Sequence, residues 1–139
     1  MAIRQVTPDE ANTLLNEGYR YIDVRTEPEF ANGHPAGAVN IPIAAPDPRT
    51  GQMTINPDFL AVVGAHFPKA AKIVLGCQSG PRSQHAAELL ARAGYETVVN
   101  MHGGFGGARD QIGWSESGLP VCRDCGPENA YAGLRQAKK

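Results

Sequence analysis

Lys72-Ile73-Val74-Leu75-Gly76-Cys77-Gln78-Ser79-Gly80-Pro81-Arg82-Ser83 is the stretch that decides the fold. It begins with a short, nearly all-apolar run, the pattern of a central strand in a parallel sheet. It ends by opening a helix, Arg82 to Ala93, with Ala86, Leu89, Leu90 and Ala93 on one face and Gly94 as the stop. A cysteine-bearing loop joins the two. In open α/β sheets, sites form beyond the carboxyl ends of the strands, and Cys77 stands at such an end.

Upstream, Thr7-Pro8-Asp9-Glu10 reads as a capping box with proline at the first helical position. Ala11, Leu14 and Leu15 follow at helical spacing, and Gly18 ends the element. Tyr19 to Val24 alternates and is rich in β-formers, so it reads as a strand. Thr26-Glu27-Pro28-Glu29 is a second capping box, opening a short helix that Gly33 ends. Ala38-Val39-Asn40-Ile41 is a short strand stopped by Pro42. Residues 42–56 are turn-rich and predict a long surface loop. Asn56-Pro57 opens a helix that carries Phe59, Leu60, Val62, Val63 and Phe67.

Downstream, Glu96-Thr97-Val98-Val99 predicts another strand, and Gly103 to Gly107 leads into a short helix holding Arg109 and Ile112. Strands and helices alternate, so the class is α/β, with a central mainly parallel sheet flanked by helices on both faces. Residues 1–121 form one domain, and 122–139 read as a polar tail.

The chain has 139 residues, 42% of them hydrophobic and 19% charged, which is ample for a core and too little charge for a disordered segment. Thirteen basic and fourteen acidic residues give a net charge of −1, without the basic excess of a nucleic-acid or anionic-membrane binder. No apolar run is long enough to span a bilayer. Three cysteines allow at most one internal disulfide. That count argues for a reducing, cytoplasmic setting and leaves at least one thiol free.

Backbone N–H groups of the loop after Leu75 can converge on one point, with the helix dipole and Arg82 adding positive potential. All three favour a thiolate at Cys77 and the binding of an anionic substrate. Gly80 lets the backbone close on the anion, and Pro81 stiffens the loop.

The chain resembles the single-domain rhodaneses, and among them the small senescence-associated type. The resemblance rests on Tyr21-Ile22-Asp23-Val24-Arg25 with Glu29-Phe30, and on Gly33-His34-Pro35-Ala36-Gly37-Ala38-Val39-Asn40-Ile41-Pro42. The loop Cys77-Gln78-Ser79-Gly80-Pro81-Arg82-Ser83 and the late Gly103-Gly104, Trp114 and Gly118-Leu119-Pro120 complete it. The resemblance implies a sulfurtransferase. Cys77 would take sulfane sulfur from a small anionic donor such as thiosulfate, become a persulfide, and pass the sulfur to cyanide, a thiol or a protein. Gln78, Ser79, Gly80, Pro81, Arg82 and Ser83 would form the substrate cradle. The main site implies no metal or organic cofactor.

Asp23 and Arg25 match the family signature at a strand end and would support the site. Arg25 also reads as half of a structural ion pair, with Glu29 as the candidate partner. His34, His85 and His102 read as structural. Cys122 and Cys125 form a C-x-x-C pair that departs from the family pattern, and they are possible secondary thiols: a redox or sulfur relay, an intermolecular metal site, or an accident of the tail. A phosphatase or arsenate-reductase-like thiolate enzyme is the alternative activity. It is disfavoured because four residues, and not the five of the related phosphatases, separate Cys77 from Arg82. A non-catalytic sulfur carrier or interaction module is the third reading.

Overall fold

The structure, a computed structural model, describes residues 3–78, 81–123 and 129–134. A five-stranded, all-parallel sheet forms its centre. In chain order the strands are β1 (Arg4–Val6), β2 (Arg20–Asp23), β4 (Val39–Asn40), β7 (Lys72–Gly76) and β8 (Thr97–Met101), arranged β1-β8-β7-β2-β4. The apolar run at 72–76 is the middle strand, which explains why it carries no polar alternation.

Side-chain alternation splits the core into two layers. Ile22, Ile73, Leu75 and Val98 face one layer, packed with Val62, Val63, Ala86 and Leu90 from helices α3 (Phe59–His66) and α4 (Pro81–Arg92). Tyr21, Val74, Val99 and Met101 face the other layer. There they meet Ala11 and Leu14 of α1 (Pro8–Asn16), Phe30 of α2 (Glu27–Ala31), and Trp114. Helices therefore cover both faces, as the alternation of elements predicts. Both capping boxes form: Thr7 Oγ1 accepts from Glu10 N at 3.2 Å, and Thr26 Oγ1 from Glu29 N at 3.4 Å.

Four segments depart from the sequence reading. Strand β1 was not predicted, because only Val6 of its three residues is buried and the parallel pairing with β8 alone holds it extended. Residues 42–56 are not all loop. Strands β5 (Ala44–Pro46) and β6 (Met53–Ile55) form an antiparallel hairpin whose side chains are largely exposed, so they leave no burial pattern to read. The short helix expected at Arg109 and Ile112 is absent. A bridge between Ala108 and Gln111 folds that stretch into a turn, Ile112 is exposed, and the helical turn lies later, as a 3-10 segment at Trp114–Glu116.

The expected polar tail also contributes structure. Strand β9 (Val121–Cys122) pairs antiparallel with β3 (His34–Pro35). Helix α5 (Tyr131–Leu134) buries Tyr131 and Leu134 in the core, where Asn56 Nδ2 donates to Tyr131 Oη at 3.0 Å and His66 Nε2 donates to the Leu134 carbonyl at 2.8 Å. Two apolar residues in a polar segment carry too little periodicity to reveal a four-residue helix. Among the described residues no helix is long and apolar enough to cross a membrane.

Candidate active site

The carboxyl ends of β2, β7 and β8 converge on Cys77. Its side chain is 1% exposed, and its sulfur is not in a disulfide. The residue before it, Gly76, has no room for a side chain, because the Tyr21 hydroxyl occupies the place a Cβ would take. Beyond β8, the Gly103–Gly107 turn packs directly on the cysteine loop. Phe105 N donates to the Cys77 carbonyl at 2.7 Å and Gly106 N to the Gln78 carbonyl at 2.9 Å. A trans peptide holds C=O and the following N–H opposed. Pinning the Cys77 carbonyl to Phe105 therefore turns the Gln78 N–H away from the glycine turn.

Two glycines of that turn lie against the cysteine loop. Gly104 adopts φ +59°, and a Cβ there would overlap the Cys77 carbonyl oxygen and lie 2.6 Å from the Gln78 carbonyl carbon. A Cβ on Gly106 would overlap Gln78 Nε2. Gly104→Ala combines this clash with a left-handed backbone cost of about 1 kcal/mol. We expect it to displace the loop and lower the turnover proposed below by about tenfold or more, with helical circular dichroism retained. Unchanged turnover in Gly104→Ala would show that the turn does not position the loop.

The charges pair differently from the sequence expectation. Arg25, 3% exposed, pairs with Asp23, 1% exposed, and not with Glu29. Its Nε donates to both Asp23 carboxylate oxygens, at 3.0 and 3.1 Å, and its Nη2 to Oδ2 at 2.7 Å. Nη2 also donates to the Gly33 carbonyl at 2.6 Å and Nη1 to Gln78 Oε1 at 3.3 Å, with the guanidinium 4.5 Å from the Phe105 ring centre. Burial works to lower the Arg25 pKa, but the Asp23 hydrogen bonds and charge prevail and hold it above the ordinary guanidinium range. Asn40 Nδ2 fixes the same corner by donating to the backbone carbonyls of Asp23 and Arg25.

Glu29 pairs instead with Arg82 of the loop, with Nη1 to Oε1 at 2.8 Å and Nη2 to Oε2 at 3.0 Å. The bidentate Arg82 hydrogen bonds pull the Glu29 pKa down to about 2, against some desolvation. A carboxylate whose folded pKa is depressed contributes stability above its unfolded pKa and loses it as pH falls through the folded one. The stability advantage of the native chain over Glu29→Gln should therefore be full at pH 6 and shrink between about pH 4.5 and 2. Urea denaturation across that range measures it, and a pH-independent difference would contradict the assignment.

Ser83, fully buried in the first turn of α4, places Oγ 3.5 Å from Cys77 Sγ and donates to Asn100 Oδ1. Asn100, buried in β8, in turn donates from Nδ2 to Gln5 Oε1 at 2.7 Å. Of the predicted cradle, Cys77, Gln78, Pro81, Arg82 and Ser83 thus come together, while Ser79 and Gly80 lie outside the described residues. Sequence reasoning missed Asn100, Gln5 and the role of Glu29. Asn100 sits in an ordinary strand, and its neighbours in space are 17 and 95 residues away in sequence.

The three histidines read as structural occupy different settings. His34 is buried, stacked on Phe30 at 3.6 Å, with its Nδ1 2.8 Å from the Phe30 carbonyl. His85 is exposed on α4, and His102 lies 2.8 Å from Asp110 Oδ1 at the surface. Cys122 is disulfide-bonded, whereas Cys125 lies outside the described residues. No cluster of three His, Cys, Asp or Glu side chains that could hold a metal ion is assembled among the described residues.

Two clefts flank the loop. One, of about 590 Å³, is walled by Arg25, Glu29, Gln78, Phe105 and Glu116. The other, of about 680 Å³, lies on the Pro81 side with Asn100, His102, Arg109 and Asp110.

Comparison with known proteins places the chain in a family. The family model described as a rhodanese-like domain matches residues 7–110. The chain is 42% identical to thiosulfate sulfurtransferase 16, chloroplastic, of Arabidopsis thaliana, over 80% of this chain and 86% of that protein. It is 41% identical to the senescence-associated protein DIN1 of Raphanus sativus, again over 80% of this chain but spanning just over half (56%) of that longer protein. The crystal structure of Rv0390 from M. tuberculosis superimposes with a TM-score of 0.74 at 29% identity, covering 88% of this chain and 99% of that one. The fold, the cysteine loop at the end of its central strand and these matches together establish that the chain belongs to the rhodanese-like domain family.

Proposed function

We propose that the chain is a sulfurtransferase that moves a sulfane sulfur from thiosulfate or a similar donor to a thiophilic acceptor through a persulfide on Cys77. The observation that carries this reading is a cysteine outside any disulfide at the carboxyl end of the middle strand, facing Ser83 in the first turn of α4, in a loop pinned through its own carbonyls by Phe105 and Gly106. The thiosulfate sulfurtransferase named among its relatives supports the same chemistry.

In the first half-reaction the Cys77 thiolate attacks the outer sulfur of thiosulfate. An S–S bond forms at Cys77, the S–S bond of the donor breaks, and sulfite leaves with the electron pair. In the second, cyanide or a thiolate attacks the terminal sulfur and the cysteine thiolate is regenerated. Displacement at sulfur by a thiolate needs no general base. N–H donors and the helix N-terminus suit the anionic donor and the leaving sulfite. A phosphate-ester reaction fits less well, because the loop's arginine is engaged by Glu29 and is not free to clamp a tetrahedral oxyanion. Incubation with thiosulfate and cyanide should yield thiocyanate and sulfite in equal amounts. Turnover of p-nitrophenyl phosphate with no thiocyanate would overturn the reading.

A further inference from the structure

The loop through which sulfur would enter is nearly neutral. Among the described residues, the two guanidinium groups bonded to the loop or to its supporting corner are matched by carboxylates, Arg25 by Asp23 and Arg82 by Glu29. The cleft that opens on Gln78 adds Glu116 to Glu29 and Arg25. Arg123, at its edge, directs Nε to the Asn32 carbonyl, and Arg109 lies across the loop in the other cleft with Asp110 and His102. A dianion gains twice as much as a monoanion from each unit of net charge facing it. A neutral cradle therefore gives away the advantage that would select thiosulfate over a donor with one charge.

Resting on the proposed sulfurtransferase activity, we propose that Glu29 is a specificity-determining residue. By holding the Arg82 guanidinium, it sets the cradle to accept monoanionic sulfane-sulfur donors, such as organic thiosulfonates, in competition with dianionic thiosulfate. With a thiosulfonate, the Cys77 thiolate takes the terminal sulfur and forms the same persulfide. The donor's S–S bond breaks, and a sulfinate leaves in place of sulfite, so charge and atoms balance without another reactant. Glu29 can play this role because it serves two structures at once. Its Oε1 accepts from Thr26 N at 3.1 Å in the α2 capping box, while both of its oxygens accept from Arg82. The cap fixes the carboxylate, and the carboxylate fixes the loop cation.

The test is a double-mutant cycle read as the ratio of kcat/KM for thiosulfate to that for methanethiosulfonate. Glu29→Gln keeps an oxygen for the cap and leaves the Arg82 charge unmatched. It should raise the ratio about tenfold, the gain of a dianion over a monoanion from one added charge near a solvent-facing site. Arg82→Gln leaves Glu29 unmatched and should lower the ratio by a similar factor, also about tenfold. The double variant restores neutrality and should return the ratio to within about threefold of the native value. A purely structural role for the pair predicts that every variant loses both donors alike with the ratio unmoved, and that result would overturn the proposal. If the native chain transfers sulfur from neither donor, the activity proposed above fails instead, so the two failures are distinguishable.

Discussion

Replacing Cys77 with serine should leave a folded protein whose sulfur-transfer turnover is lower by ~10³-fold or more, the scale on which loss of an attacking side chain is felt. Serine is close in size to cysteine, and at this buried position its hydroxyl has Ser83 Oγ within reach of the sulfur's place. The core should therefore tolerate it. An alcohol neither ionises near neutral pH nor attacks sulfane sulfur as a thiolate does, so no persulfide can form on it. Measured turnover with thiosulfate and cyanide, alongside the thermal midpoint, separates the two effects. If the serine variant retained a tenth of native turnover, the nucleophile would have to be another group.

The largest stability effect is expected at the buried pair beneath the loop. Asp23→Ala leaves Arg25, 3% exposed, without its counter-charge, and such uncompensated burial costs about 3–5 kcal/mol. For a domain of this length that corresponds to a fall in thermal midpoint of about 10–20 °C. The site should suffer as well, because Arg25 also carries Gln78 and the Gly33 carbonyl. Asp23→Asn keeps an acceptor for Arg25 and should cost less. Equal midpoints for native protein and Asp23→Ala would mean that the pair does not stabilise the corner it occupies.

What was legible in the sequence was whatever is written locally. Thr7 with Glu10 and Thr26 with Glu29 mark two helix starts, and both caps form. The run at 72–75 marks a strand buried on both faces, and it became the middle of the sheet. Cys77 followed from the rule that sites lie beyond strand carboxyl ends. The partners that give the site its character were not legible, because sheet order brings them together from distant segments. Glu29 meets Arg82 across 53 residues, and nothing near either residue signals the other. The sequence offered Arg25 to Glu29, a pair close in the chain, but β2 sets Arg25 beside Asp23 with the geometry of a closed buried pair, leaving Glu29 for the loop. Gly104 and Gly106 read only as a turn, whereas Gly104 makes room for the cysteine loop's own backbone and Gly106 for the Gln78 side chain.

The central claim is that Cys77 carries sulfur. Intact-protein mass spectrometry after incubation with thiosulfate, followed by peptide mapping, tests it most directly. The expected result is the addition of one sulfur atom, located on Cys77, removed by cyanide with release of thiocyanate, and missing from Cys77→Ser. An unmodified Cys77 under these conditions, or sulfur added to another residue and retained in Cys77→Ser, would contradict the account.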